Sequence, residues 1–138
     1  MKIPLELQDE LFGLFINDKD ICTILGINDS TNIPECSTKI RRELQTAALA
    51  NDGPSLFFVY TWIPSLGAIQ DNYKVNRNTL EFIIYGKYRA HIVKLYKAIK
   101  KVMQTNFEDF QIVSEGQVDS PITGLTSYCF RVRPLTLT

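Results

Sequence analysis

TLEFIIYGKYRAHIVKLYKAIKKVM, residues 79–103, contains two different hydrophobic periods that meet at Gly86. Before Gly86, apolar residues recur at every second position, which is typical of a strand with one strongly buried face. After Gly86 they recur at the spacing of a helix that packs on something flat. The members of this stripe are Ile92, Leu95, Tyr96, Ile99, Val102 and Met103. The stretch therefore predicts a strand at 79–85 and a helix at 88–104 that lies across a sheet.

Three further strands are predicted around this unit. Residues 55–64 are rich in aromatic and β-branched residues with apolar groups on both sides, which predicts a central strand or one covered on both faces. Weaker strand patterns occupy 108–115 and 125–133. No helical segment separates 55–64 from 79–85, or 108–115 from 125–133. Each pair is therefore predicted to form an antiparallel hairpin.

The first fifty residues have helical patterns. A helix is expected over about 4–16, followed by a short second helix that Asp18 or Asp20 can cap and Gly26 can end. Residues 27–36 have the composition of a loop.

A third helix is expected after that loop, with Ser37 or Thr38 as its cap. Its apolar side would consist of Ile40, Leu44, Ala47 and Ala48. Together these elements predict an α+β fold, with an antiparallel or mixed sheet of about four strands and helices packed on it. The length supports one domain over 1–138, with an N-terminal helical part at 1–50 and the sheet at 55–133.

Composition excludes some classes of function. Fifteen basic residues balance fifteen acidic ones, whereas a dedicated nucleic-acid binder usually carries a basic excess. Three cysteines at unrelated spacings indicate neither a disulfide framework nor a zinc site, which fits a reducing cytoplasm. The N-terminus does not have the pattern of a signal peptide, and no apolar run has the length of a membrane span.

The sequence contains few residues or motifs that are typical of a catalytic site. His91 is the one histidine, and it falls at the flank of the buried stripe, where an interface role is favoured over catalysis. There is no G-x-S-x-G elbow and no glycine-rich phosphate loop. Two acidic pairs, Glu108 with Asp109 and Glu115 with Asp119 around a turn, are interpreted as solvated acids rather than metal ligands. We therefore expect no catalytic, cofactor or metal site, and no enzyme activity.

The strongest charge feature is the polar side of the helix at 88–104. Lys94, Lys97 and Lys101 lie opposite its apolar stripe, at about 100° per residue. They predict a solvated helix back or a contact with an acidic partner, and nucleic acid comes last because no aromatic residues interleave with them. Trp62, close to Pro64, is interpreted as a core strand residue or as the rim of an interface.

The whole pattern resembles a family of phage proteins. The chain is similar to tail terminator (tail completion) proteins of siphophages that infect Gram-positive bacteria. The resemblance lies in the order of its segments: a strand with an aromatic–proline corner, a variable loop, NTLEFIIYGKYRAHIVKLYKAIKKVM, a short strand and a last strand with TGLTSYCFRV. The segment LFINDKDICTILGI is similar to the openings of minor structural proteins of such phages. Head–tail adaptors and connectors of the phage neck share the pattern.

The resemblance implies a structural virion protein without enzyme chemistry or cofactors. Tail terminators are α/β proteins that form rings, here expected to be hexameric, which cap the tail tube and join it to the head. The implied partners are further copies of the chain, the tail tube protein and the head–tail connector, with no membrane and with DNA only passing through the ring. The implied location is the virion, and the host cytoplasm during assembly.

Ring formation requires two different contact patches on each protomer. The segment at 65–77 and the tail at 134–138 are candidates, because segments of this kind often become ordered on assembly. Within the first of them, Tyr73, Lys74 and Arg77 would make the contacts, although an ordinary hairpin loop has the same composition. The alternatives to a tail terminator are a head–tail adaptor and, after it, a nucleic-acid-binding accessory domain that uses the lysine helix.

Overall fold

Helices come first along the chain and strands dominate its second half. A computed structural model describes residues 4–42, 54–63, 79–107 and 110–133. The elements in chain order are α1 (Pro4–Ile16), α2 (Lys19–Leu25), α3 (Ile33–Lys39), β1 (Ile40–Arg41), β2 (Leu56–Ile63), β3 (Thr79–Gly86), α4 (Arg89–Asn106), β4 (Gln111–Val118) and β5 (Thr126–Arg133). The predicted α+β class is confirmed.

The strands form one mixed sheet in the order β1-β2-β3-β5-β4. The strands of the predicted hairpins pair as expected: β2 runs antiparallel to β3, and β4 antiparallel to β5. The two pairs join through an antiparallel contact between β3 and β5, in which Phe82 lies opposite Phe130. The two-residue strand β1 is parallel to β2 and places Ile40 beside Phe58.

The main core lies between the sheet and the helices. Strand β3 buries Leu80, Phe82 and Ile84 on this side, against the apolar stripe of α4. Phe82 stacks on Phe130 with 4.8 Å between ring centroids. From α1, Phe15 meets Phe58, Tyr60 and Phe82 edge-on at 5.3, 5.4 and 5.9 Å. Burial of each such side chain stabilises the fold by roughly 1.5–3 kcal/mol.

The other face of the sheet holds a smaller cluster. Phe57 and Tyr85 stack at 4.9 Å, and Val59 and Ile122 are buried with them. Ile122 comes from the connection between β4 and β5, so this connection lies against the sheet. Residues from Leu56 to Tyr60 are all buried, which confirms that β2 is covered on both faces.

The first two helices begin and end where local chemistry predicts. Asp18 caps α2 by accepting a hydrogen bond from the amide of Ile21 at 3.0 Å. Gly26 follows its last residue with φ 74°, a left-handed conformation that glycine adopts without a steric penalty. No helix in the described ranges is long and apolar enough to cross a bilayer.

The prediction for the third helix is wrong at its start. Helix α3 begins at Ile33, and its cap is Asn32, whose side chain accepts from the amide of Glu35. Ser37 and Thr38, the predicted caps, lie inside the helix. Proline in the first turn favours this earlier start, because its missing N–H is not needed there.

The expected apolar face of that helix is also wrong at its first residue. Ile40 belongs to β1 and pairs with β2, so it contributes to the sheet rather than to a helix. Leu44, Ala47 and Ala48 lie outside the described residues.

Strand β4 lies three residues further along the chain than predicted. Gly116 and Gln117, which follow the predicted end of the strand, pair with Cys129 and Tyr128 of β5. Pairing with β5 decides these bounds, because β4 is exposed along most of its length and shows no clear alternation. The connection therefore occupies 119–125.

Candidate functional site

A groove opens between α4 and the edge of the sheet that β4 forms. Its volume is about 360 Å³. The groove exists because α4 lies against β3, while six of the eight residues of β4 remain exposed. Its lining comes from one side of the helix and from the ends of two strands: Arg89, Ile92, Val93, Tyr96, Lys97, Gln117, Thr126, Ser127 and Tyr128.

Two tyrosines and one carboxylate stand at this groove. The Tyr96 hydroxyl donates a hydrogen bond to Glu115 Oε2 at 2.6 Å, and its ring lies edge-on to Tyr128 at 5.5 Å. Burial raises the pKa of Tyr96, and the hydrogen bond to Glu115 raises it further. Burial also raises the pKa of Tyr128. Both phenols are therefore neutral at physiological pH, which suits them to binding rather than to base or nucleophile chemistry.

Strand β4 is a sheet edge with little protection against pairing. In the described part of the chain it pairs with β5 alone. Its sequence QIVSEGQV contains no lysine, arginine or proline, the residues that natural edge strands commonly use against unwanted pairing. Val113 and Val118 are 44% and 40% exposed. A register shift between Ile112 and Ser114 interrupts its pairing near one end.

The opposite edge of the sheet has a different character. Around β1, a cleft of about 570 Å³ is lined by Gln8, Phe12, Ile33, Ser37, Ile40, Arg41 and Arg42. Arg42 forms an ion pair with Asp9, and its guanidinium lies 5.2 Å from the ring centroid of Phe12. Ile33 at the start of α3 is 47% exposed. This edge therefore combines basic groups with an exposed apolar side chain.

The three predicted lysines of α4 lie together. Lys94, Lys97 and Lys101 are all exposed, and they line a groove of about 380 Å³ with residues of α2, including Asp20. Lys97 also borders the groove beside β4. The helix thus presents one basic surface between two grooves, a place where an acidic partner surface could bind.

Of the other predicted contact residues, Trp62 lies in the described ranges, on β2 rather than on α4. Trp62 is half-buried at the end of β2 and packs against the main core. Tyr73, Lys74 and Arg77, as well as the tail at 134–138, lie outside the described residues. His91 is exposed, with its ring edge-on to Tyr88 at 5.4 Å. Among the described residues, no group of three or more histidine, cysteine or acidic side chains could hold a metal ion.

Sequence reasoning predicted a strand here but missed its position at the edge of the sheet and the tyrosine–carboxylate contact beside it. A signal for the edge was present, because QIVSEGQV has polar residues on both sides of the strand, which is typical of an element that little covers. No local signal could have joined Tyr96 to Glu115, since they belong to different elements and meet only in the fold.

Comparisons with known proteins do not identify a family. No protein-family model matches the chain, and no curated protein matches it. One solved structure to which it is similar is the "Cs H-NOX mutant with unnatural amino acid 4-cyano-L-phenylalanine at site 5", at 12% identity and a TM-score of 0.36. The match covers 97% of this chain and 60% of that chain. At this level of similarity, the match supports no conclusion about fold or function.

Proposed function

We propose that this protein is a structural virion protein of the tail terminator type, which forms a ring on the end of the tail tube and joins it to the head. The proposal starts from the sequence resemblance. It is supported by a surface suited to protein contacts: a sheet edge with little protection and with exposed valines, beside a groove lined by neutral tyrosines.

The observation that carries the proposal is the exposed edge of β4. Exposed backbone donors and acceptors in a row form a template for another chain, so proteins that stay monomeric usually block them. Here the strand contains no lysine, arginine or proline, and its single charged residue is Glu115. The net charge of zero adds no electrostatic barrier to self-association.

The basic surface of α4 would serve a second contact in such an assembly. Lys94, Lys97 and Lys101 are exposed on one side of a rigid helix, between Gly86 and Asn106, a stretch with no acidic residue. We assign them to an acidic surface of the tail tube or of the connector. Tyr73, Lys74 and Arg77 remain proposed contacts on the basis of the sequence alone.

The experiment that tests the function uses tail tubes polymerised from the tube protein encoded with this chain. Added protein should attach to one end of each tube and stop further growth, so that negative-stain images show capped tubes of constant length. A protein that left growth unchanged and did not attach would contradict the proposal. Attachment to the connector without attachment to tubes would support a head–tail adaptor instead.

A further inference from the structure

We infer that the outer edge of β4 docks on the β1 side of a second copy of this chain, so that protomers associate head to tail. The β4 edge comprises β4 and Asp119. The β1 surface comprises Ile33, Arg41 and Arg42, which line one cleft. The inference rests on the ring proposed above, and it specifies which two surfaces meet.

The first surface offers both backbone pairing and apolar contact. In the described residues, the outer side of β4 has no paired strand. Val113 and Val118 of the same strand have 44% and 40% of their surface exposed. A neighbouring strand at this edge would pair with its outer backbone groups and could cover both valines.

The second surface lies at the other end of the same sheet. Strand β1 pairs with β2 on one side, and within the described ranges its other side has no paired strand. Ile33, 47% exposed, stands at the cleft that Arg41 and Arg42 line. The two surfaces occupy opposite edges of the sheet, so one protomer can use both at once.

Charge determines which edges match. The charged side chains of the β4 edge are Glu115 and Asp119, both acidic, whereas those of the β1 surface are Arg41 and Arg42, with one acid, Asp9, paired to Arg42. Of the two arginines on neighbouring β5, Arg131 already donates to Glu81 at 2.8 Å. A contact between two β4 edges would place acids against acids, while a β4–β1 contact places acids against bases. The charges therefore favour a second copy joined head to tail over a two-fold dimer.

This geometry has a consequence for assembly. Two different surfaces that meet repeatedly produce a closed ring if the rotation between neighbours closes, and an open filament if it does not. A symmetric dimer, by contrast, would use one surface twice and stop at two copies.

The experiment uses two variants that block one surface each. Val113→Lys/Val118→Lys places two bases on the β4 edge, and Ile33→Glu places an acid on the β1 surface. All three positions are exposed, so the core is untouched. An acid at the start of α3 also suits the helix dipole, which keeps the second variant folded. The control is Gln104→Lys, an exposed position near the end of α4.

Mass photometry and native mass spectrometry over a wide concentration range provide the readout. The wild-type chain and the Gln104→Lys control should form the same higher species. Each blocking variant alone should associate at least tenfold more weakly. An equimolar mixture of the two should form a one-to-one heterodimer and no larger species, because only the intact β4 edge of one variant and the intact β1 surface of the other can meet.

Other results would overturn the inference. If Ile33→Glu associated like the wild-type chain while the β4 variant did not, the contact would be a β4–β4 dimer. A wild-type chain that stayed monomeric up to its solubility limit, or a mixture that formed no heterodimer, would also contradict it. Capping of tail tubes by the same variants separates the two proposals. If the variants failed the association test but still capped tail tubes as the wild-type chain does, the inferred β4–β1 contact would be wrong and the proposed function would stand.

Discussion

Gly86 shows how closely the strand–helix corner is packed. A Cβ atom at this position would lie 2.7 Å from Ile92 Cγ1 and 3.1 Å from Leu56 Cδ1, which is nearer than side chains normally approach. The residue that separates the strand period from the helical period in the sequence is thus also the residue that lets the first turn of α4 approach the sheet.

We expect Gly86→Ala to lower the free energy of unfolding by about 1–3 kcal/mol, because the added methyl group overfills the corner. Gly116→Ala is the matched control, since its added Cβ would meet no heavy atom within 4 Å apart from its own residue and chain neighbours. It should change stability by less than about 0.5 kcal/mol. Urea denaturation at neutral pH measures both, and equal losses would show that the contact with Ile92 is not the cause.

Because Tyr60 is buried, we expect the stability of the fold to depend on pH in the alkaline range. The Tyr60 hydroxyl donates to the carbonyl oxygen of Gln8 at 3.0 Å, and burial raises its pKa from 10.0 to about 12. Between these values the folded protein keeps a proton that the unfolded chain has lost. This contribution is complete below pH 10 and disappears as the pH rises through about 12.

Tyr60→Phe should remove that contribution. The wild-type chain should lose about 1–3 kcal/mol more stability than the variant between about pH 9 and about pH 12. Comparison of the two proteins cancels the titration of lysines, which both share. Parallel curves from denaturation at each pH would contradict the prediction, whatever the stability of the variant at pH 9.

At the scale of elements, α2 depends on its cap. The helix has only seven residues, so one satisfied amide is a large share of its local stability. Asp18→Ala should cost about 1 kcal/mol, since the amide of Ile21 loses its acceptor. Asn17→Ala, an exposed neighbour outside the helix, is the control and should change stability little. Thermal melts followed by circular dichroism give both values, and an unchanged melting temperature for Asp18→Ala would exclude the capping role.

The elements also differ in how well the sequence predicts them. Helix α4 follows its hydrophobic stripe closely, because buried Ile92, Leu95 and Ile99 repeat within one continuous segment. Helix α3 does not, since its start depends on a single Asn32 side chain and its end on the pairing of Ile40 with a strand. A helical hydrophobic repeat becomes distinct only over several turns, and a helix as short as α3 does not contain enough of them.

At the scale of the whole molecule, the charges are separated along the chain. The sequence between Gly86 and Asn106 carries six basic residues and no acid, while acids predominate in the first two helices. The total is zero, so the molecule has no overall attraction to nucleic acid, but it has a basic surface on α4.

Reversing the charge of these lysines tests whether the basic surface of α4 binds a partner. Lys94→Glu/Lys97→Glu/Lys101→Glu should weaken attachment to tail tubes or connectors about tenfold at low salt and less at high salt, because exposed charges are screened. Lys19→Glu, an exposed base on α2, is the control. Pull-down at two salt concentrations measures the effect. Equal binding of the triple variant would show that these lysines are a solvated helix back.

The same variants separate protein binding from nucleic-acid binding. Duplex DNA should bind the wild-type chain no better than nonspecifically, with a dissociation constant of roughly 10⁻⁴–10⁻⁶ M or weaker at physiological salt. Fluorescence anisotropy over a salt series measures this. Tight, strongly salt-dependent binding that the triple reversal abolished would instead support the nucleic-acid hypothesis.

The sequence by itself determined the strands and helices that have a distinct period, the two antiparallel hairpins and the α+β class. It did so because a hydrophobic period records, within one segment, which side of that segment is buried. It also placed Lys94, Lys97 and Lys101 on one surface, since the helix alone decides their direction.

Only the tertiary structure decided the rest. It set the order of the strands and left β4 at an exposed edge. It also paired Ile40 with Phe58 and joined Tyr96 to Glu115 by a hydrogen bond, although the residues of each pair are distant in the chain. Such contacts depend on which backbone groups remain free and which surfaces meet after collapse. No local pattern records that information, so the candidate contact surfaces became visible in the folded molecule and not in the sequence.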